Sequence, residues 1–434
     1  MKVKQIKLKN FRNYTEQTIE IASGTNVFVG ENAQGKTNIL EAIYLCTCAR
    51  SHRTGKDNDL IKDGADYYQV EIQFESDNAE QNIKQSFHES KPFIEEIKIE
   101  YKKFPMIERN IYYCGFKQER ISDLIGLFHA VIFAPEDVML IKEGPAGRRR
   151  FLDLLISQIK PLYFRNLQLY QQYLKQRNNL LKTLRNMKFD KKKNSDVYDS
   201  EIYKFNLLQL TIWTEHLAKI SAQIISTRYK YILEIEKYAI EALEKISDGK
   251  EKFKINYKTV SGIDPKLDSN QIYDSLMQRF ERQLDDDIER GSTGSGSHRD
   301  DLELIVDDNL LKERGSQGQQ RSAVLALKLA ELQIIEKETN QKPVLLLDDV
   351  MSELDAKRRT HLLSAFEDNQ VFITCTDLGQ IYPEYKKKLS DKQNSSDMEN
   401  IEKENEHNLE SNLNRSYINF FKVREGTVKR QYLL

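Results

Sequence analysis

Residues 27–37, VFVGENAQGKT, constrain the chain more than any other stretch. A short apolar strand (Val27, Phe28, Val29) runs into Gly30-x-x-x-x-Gly35-Lys36-Thr37, and Ile39, Leu40, Ala42, Ile43 and Cys46 follow at helical spacing. Strand, glycine-bounded loop and helix in that order make a phosphate-binding P-loop. The glycines let the backbone curl so that successive N–H groups face an anion at the positive end of a helix. Lys36, expected at the loop surface, reaches the outer phosphates, and the Thr37 hydroxyl is offered to Mg2+. The expected nucleotide-binding residues are therefore Gly30, Glu31, Asn32, Ala33, Gln34, Gly35, Lys36, Thr37 and Asn38.

Mg2+ at a P-loop needs an acidic partner, and residues 344–349, VLLLDD, supply one as a buried strand ending in carboxylates. Asp348 is the expected metal-side residue with Thr37. Asp349, next in sequence, is the candidate for orienting or deprotonating an attacking water, so Lys36, Asp348 and Asp349 form the expected catalytic set. A second anion grip is written at residues 314–321, RGSQGQQR, where Ser316, Gly318 and Gln319 open a helix. Backbone donors there can hold a γ-phosphate. One chain already has a P-loop for that phosphate, so the second grip implies a second subunit. Ser352-Glu353-Leu354-Asp355 follows the acidic strand.

The chain has 434 residues, 39% of them hydrophobic, enough for two or three domains with real cores. Lys plus Arg (66) nearly cancels Asp plus Glu (67), so overall charge says nothing about nucleic acid. No signal-like or membrane-length apolar run is present, which predicts a cytoplasmic protein without a membrane partner. Cys46, Cys48, Cys114 and Cys375 lack zinc or redox spacing and read as buried thiols.

Period-two patterns predict strands over 3–11, 19–21, 26–29 and 67–74, with further alternation to about 113. Helical spacing then takes over. Residues 162–186 and 201–246 predict two long antiparallel helices joined by the basic link KFDKKKNSDVYDS. A strand at 253–260, a helix at 271–289 and the run GSTGSGS lead to a strand at 302–306. From 315 the order is helix (319–337), strand (344–347), helix (356–366) and strand (371–374), an α/β pattern. Residues 384–416 are polar and read as a flexible insertion before a last strand at 419–423. The expected domains are 1–134 and 295–434, which together make a nucleotide-binding head, and a mainly helical lobe, 135–294.

Taken together, the P-loop, SQGQ run, LLLDD and SELD resemble the α/β ABC-type ATPase heads of SMC and Rad50 proteins. More narrowly the chain resembles the RecF family of bacterial recombination-repair proteins. The carriers are residues 8–14 (LKNFRNY), 51–54 (SHRT), 133–137 (FAPED), 145–153 (PAGRRRFLD), 297–302 (SHRDDL), 316–321 (SQGQQR) and 347–355 (LDDVMSELD). The resemblance implies a β-rich lobe and a mainly helical second lobe without a long coiled coil. It also implies Mg2+ and ATP as cofactors, slow DNA-dependent hydrolysis, an ATP-dependent homodimer, and Arg12 near the phosphates. Double-stranded and single-stranded DNA, with RecO-type and RecR-type proteins that help load recombinase at gaps, are the implied partners. The chain departs from the family pattern at Gly296-Ser297, where Gly-Pro is usual, and at Glu143, where Gly is usual. Thr374-Cys375-Thr376 stands where most ABC ATPases carry a histidine.

A transporter's nucleotide-binding subunit shares several of these motifs, but the stretch between Lys36 and Ser316 is too long for its compact helical subdomain. An SMC-like structural protein would carry sustained heptads, which are missing. A small-molecule kinase would leave the 314–321 and 352–355 segments unexplained. Two basic clusters, 148–150 and 191–193, suit either phosphate contacts or a solvated face, and Arg148 also suits a carboxylate partner.

Overall fold

The computed structural model describes residues 1–76, 93–191, 201–353, 358–359, 362, 366, 368–377 and 418–431. These form two compact units, residues 1–137 with 331–434, and residues 138–330.

The first unit holds two six-stranded sheets. One is antiparallel, in the order β2-β1-β4-β5-β6-β7: β1 (Lys2–Phe11), β2 (Tyr14–Glu20), β4 (Tyr67–Glu75), β5 (Ile94–Lys102), β6 (Glu108–Tyr113) and β7 (Phe116–Gln118). It has one buried face, so β1 buries Val3, Ile6, Leu8 and Phe11, and one register shift between Val3 and Gln5 absorbs the break in strict alternation. The other sheet has the order β15-β14-β3-β13-β12-β8, with only the β14–β15 pair antiparallel. Its strands are β3 (Thr25–Val29), β8 (Ala130–Phe133), β12 (Val344–Asp348), β13 (Val371–Cys375), β14 (Ile418–Arg424) and β15 (Thr427–Gln431). Covered on both faces, β8, β12 and β13 are buried at every residue, which is why their sequences are unbroken apolar runs rather than alternating ones.

Helix α1 (Lys36–Cys48) contacts strands of both sheets and buries all of Ile39–Cys48, so it is apolar nearly all round instead of striped. Phe28 anchors the core beneath the P-loop, stacked on Phe421 at 4.9 Å and Phe372 at 6.2 Å. Gln370 fastens the two sheets together. Its side chain accepts from the Val3 N–H at 2.7 Å and donates to the Val3 and Ala22 carbonyls at 2.9 and 3.0 Å.

The second unit is built on α2 (Pro145–Ile159), α3 (Pro161–Lys191) and α4 (Glu201–Ser247), followed by β9 (Phe253–Lys258), α5 (Ser269–Arg282) and α6 (Leu284–Arg290). The domain boundary expected at 294 falls inside this unit, because β10 (Asp301–Val306) pairs antiparallel with β9 along all six residues and, on its other side, with β11 (Asn309–Leu310). The chain re-enters the first unit within α7 (Gln317–Thr339), at residue 331.

Buried ion pairs explain two of the sequence motifs here. Arg148 is no exposed phosphate contact: its guanidinium binds Asp301 at 2.7 and 3.0 Å and the carbonyls of Leu140 and Glu143 at 2.9 Å. Arg228, inside α4, binds Asp153 at 2.9 Å, Asp300 at 3.0 Å and the Ser297 carbonyl at 2.7 Å. His298 shares a 2.5 Å hydrogen bond with Tyr170, and burial lowers its pKa to about 4, leaving a neutral ring that fixes the loop. Arg177 is fully buried, bonded to Asp287 and Thr293 at 2.8 Å and to Thr214 at 2.9 Å, with its guanidinium carbon 4.7 Å from the Phe280 ring centre.

Of the sequence expectations, Lys192, Lys193, Leu354, Asp355, the insertion at 384–416 and most of the helix at 356–366 lie outside the described residues. The last strand is longer than expected and returns as a hairpin through β15. Cys46, Cys48 and Cys375 are buried, and Cys114 is half-buried.

Removing one partner of a buried pair strands the other charge. Arg177→Met should destabilise the chain by ~3–5 kcal/mol, and adding Asp287→Leu should recover most of that loss. Urea unfolding followed through Trp213, on α4 and 5.7 Å from Tyr173, reads both values. A loss below ~1 kcal/mol for the single variant would contradict the buried-pair account.

Candidate nucleotide site

The P-loop leaves β3 at Gly30, whose N–H donates to the Cys375 carbonyl at 3.3 Å. A Cβ there would lie 2.3 Å from the Val423 carbonyl oxygen, so no other residue fits. Gly35, at φ 113°, needs glycine for its conformation and for space, because Asn13 and Tyr14 press on it from outside. The Tyr14 hydroxyl donates to the Gly35 carbonyl at 3.0 Å, Asn13 Nδ2 donates to the Gln34 carbonyl at 2.8 Å, and Asn38 Nδ2 donates to Asn13 Oδ1 at 2.9 Å. Burial pushes the Tyr14 phenol well above its ordinary pKa, so it remains a donor. The motif at 8–14 thus scaffolds the loop, a role that residue patterns alone did not reveal for Asn13 and Tyr14.

Lys36 is not at the surface. It is 6% exposed, its stem packed under the loop and its ammonium bonded to the Gly30 and Glu31 carbonyls at 2.6 and 2.9 Å. Glu31, Asn32 and Ala33 are exposed, and Ala33 has a positive φ of 63°.

Parallel pairing sets Asp348, the last residue of β12, opposite Thr374 on β13. Asp348 Oδ1 accepts from the hydroxyls of Thr37 at 2.8 Å and Thr374 at 2.7 Å. Burial raises the Asp348 pKa, and the two hydroxyls oppose that rise. Asp349 turns off the strand at φ 53°, its N–H donating to the Thr374 hydroxyl at 2.9 Å. Thr374 is therefore the joint between the two aspartates, a role its place in an apolar strand does not advertise.

Arg12 grips a fully buried carboxylate, Glu41 of α1, through Nε at 2.8 Å and Nη2 at 2.7 Å, while Nη1 bonds the Asp59 carbonyl at 2.7 Å. Ser51 donates to Glu41 at 2.5 Å, and Arg53 lies 3.5 Å from it and 3.2 Å from Asn38 Oδ1. Burial alone would raise the Glu41 carboxyl, but Arg12 and Ser51 outweigh it and hold the pKa below its ordinary value. The motif at 51–54 belongs to this cluster, and Glu41 was its missing member in the sequence reading.

Ser316, Gly318 and Gln319 belong to the other compact unit. The Ser316 N–H donates to Gln319 Oε1 at 3.0 Å and the Gln319 N–H donates to Ser316 Oγ at 3.2 Å, a reciprocal capping box at the start of α7. Ser316 is exposed at that helix end.

Residues 2–390 match the family model for the RecF/RecN/SMC N-terminal domain. The chain is 40% identical over 378 residues to the DNA replication and repair protein RecF of Ruminiclostridium cellulolyticum, covering 87% of this chain and 93% of that protein. The chain belongs to the RecF family. Another RecF, from Acetivibrio thermocellus, is 40% identical over 87% of this chain and 94% of its own. A solved structure of the recombination mediator protein RecF with ATP in the RecFOR pathway superposes with a TM-score of 0.78 at 33% identity, covering 99% of this chain and 98% of that one. The fold is accordingly an ABC-type ATPase head, and the described residues contain no long coiled coil.

The oxygens present suit Mg2+, a hard cation that takes one or two protein oxygens beside phosphate and water. Thr37 and Asp348 offer a hydroxyl and a carboxylate 2.8 Å apart. Asp348→Asn should raise the Mg2+ concentration needed for half-maximal ATP binding by roughly 10–100-fold. Titrating Mg2+ at fixed nucleotide checks this, and an unchanged midpoint would remove Asp348 from the metal's surroundings.

Proposed function

We propose that this RecF-family chain is an ATP-switched DNA-binding protein of recombinational repair and replication restart, acting in the cytoplasm. Its relatives named for DNA replication and repair, and the ATP-bound RecF it superposes on, support the reading. The observation that carries it is the pairing, in one chain, of a complete P-loop with a second helix start at Ser316, Gly318 and Gln319, where Ser316 is exposed.

The loop from Gly30 to Asn38 surrounds the phosphates with the backbone N–H groups between those two residues, whose own N–H groups are taken by the Cys375 and Gly35 carbonyls, and Lys36 exchanges its two carbonyl partners for phosphate oxygens. Arg12 faces them with a guanidinium already paired to Glu41, so it contributes N–H donors more than net charge. Bound Mg-ATP supplies the phosphoanhydride that is hydrolysed. Thr37 and Asp348 hold the metal side, and Asp349, carried on the turn that Thr374 fixes, orients or deprotonates the attacking water. Aspartate is shorter than the glutamate common at that position, so turnover is slow, with DNA as its activator.

Ser316, Gly318 and Gln319 receive the γ-phosphate held by the P-loop of a second chain, so two chains pack head to tail around two nucleotides. ATP favours the dimer and its grip on double-stranded DNA and gapped single-stranded junctions. Hydrolysis removes the γ-phosphate contacts and shifts the population back to monomer. RecO-type and RecR-type proteins are the partners in recombinase loading.

Light scattering with ATP, ADP and duplex DNA tests this directly. The parent should dimerise with ATP and not with ADP, and Ser316→Arg should bind ATP as a monomer because a long cation fills the helix start. Mixing Ser316→Arg with Lys36→Ala chains should restore part of the ATPase. A Ser316→Arg chain that dimerises and turns over like the parent would rule out the two-chain site. Asp349→Asn should keep the dimer but slow turnover by ~100-fold, the scale expected when a base or water-orienting group is lost. A rate within a factor of two of the parent would take Asp349 out of the reaction.

A further inference from the structure

The P-loop is gripped from outside by a hairpin that the nucleotide motifs do not include. β14 runs parallel to β3 from Ile418 opposite Thr25 to Lys422 opposite Val29, which brings its end beside the mouth of the loop. The chain reverses there through Glu425 and Gly426, at φ 48° and 72°, with Arg424 paired to Thr427 across the turn. Two left-handed residues in succession are what a two-residue hairpin demands.

The turn's backbone faces Gln34. The Gly426 N–H donates to the Gln34 carbonyl at 3.2 Å, and the Glu425 N–H donates to Gln34 Oε1 at 2.6 Å. Asn13 adds its 2.8 Å bond to the same carbonyl. A Cβ on Gly426 would stand 2.6 Å from the Asn13 carbonyl oxygen, so the approach is closed to any larger residue. The hairpin is itself tied down, because the Gln17 side chain accepts from the Val428 N–H at 3.1 Å and donates to the Val428 carbonyl at 3.4 Å.

A trans peptide points its N–H opposite to its C=O. Holding the Gln34 carbonyl on the hairpin therefore turns the Gly35 N–H away from the hairpin, toward the concave side of the loop where an anion is received. We infer that the Glu425–Gly426 turn is a positioning element of the nucleotide site: it sets the Gln34–Gly35 peptide before nucleotide arrives and so lowers the ordering cost of binding. The turn acts through Gln34 and uses backbone N–H groups, so the charge of Glu425 has no part in it. This inference rests on the reading of residues 30–38 as an ATP loop.

The test is a double-mutant cycle on the full chain, with the Kd for Mg-ATP and the melting temperature of the nucleotide-free protein measured for each member. Gly426→Ala introduces both the clash and an unfavourable φ, and Gln34→Leu removes the acceptor for the Glu425 N–H. Each should weaken ATP binding about tenfold, and the double variant should be no more than about twofold weaker than the worse single, because both break one connection. A general loss of structure would not make the two losses fail to multiply. Multiplying losses, or a Gly426→Ala chain that binds ATP within twofold of the parent, would overturn the inference. If Gly426→Ala gives no cooperative melt, Gln34→Leu decides alone, and binding within twofold of the parent again overturns it. A parent chain that fails to bind ATP would defeat the nucleotide reading and this inference together, whereas a parent that binds and loses binding with Lys36→Ala isolates the hairpin as the only question.

Discussion

A loop that turns its N–H groups inward to meet an anion has to turn its carbonyls elsewhere, and each of those carbonyls needs a donor. Much of the first unit is arranged to provide them. Tyr14 serves Gly35, Asn13 and the Gly426 N–H serve Gln34, and Lys36 itself serves Gly30 and Glu31. Those donors arrive from the β1–β2 turn, the end of β14 and the first turn of α1, which is why strands from both sheets converge on a few residues. Two glycines permit the approach, Gly30 against Val423 and Gly35 against Asn13 and Tyr14.

The second unit depends on charge in a different way. Arg177 and Arg228 sit inside a helical core with carboxylates from distant segments, Asp287 for the first and Asp153 with Asp300 for the second. A buried ion pair of this kind adds little net stability compared with a well-packed apolar substitute, but an unmatched one is costly. Its effect is therefore selective, since helices set one turn out of register would leave an arginine without its acid. Tyr163, Tyr257 and Tyr170 complete the arrangement with hydroxyls that burial keeps protonated.

The nucleotide loop, its helix and the acidic strand were legible in the sequence because each is a contiguous run with a period or a fixed spacing. The long helices α3 and α4 were legible for the same reason. What the sequence hid is pairing between distant segments: Glu41 with Arg12, Thr374 with Asp348, Gly426 with Gln34. A glutamate inside an apolar helix looks like a solvated position, and only its complete burial exposes it as a hub. Arg148 resolves an alternative that the sequence left open, because the first of three consecutive arginines is committed to a carboxylate, Asp301. The glycine-serine run near the expected boundary at 294 leads into a strand, as its pattern suggests, and that strand, β10, pairs with β9 inside the second unit.

The strand that feeds the P-loop has two parallel neighbours, β13 and β14, and the second meets Thr25 with Ile418 from about 390 residues farther along the chain. During vectorial synthesis β3 emerges about 390 residues before that partner, so that edge of β3 stays open throughout the interval. Val27 and Phe28 lie along that open edge, in a segment whose pattern favours strand addition. Until β14 arrives the strand on which the phosphate loop depends is open to mispairing, and the contacts of the Glu425–Gly426 turn with Gln34 cannot form.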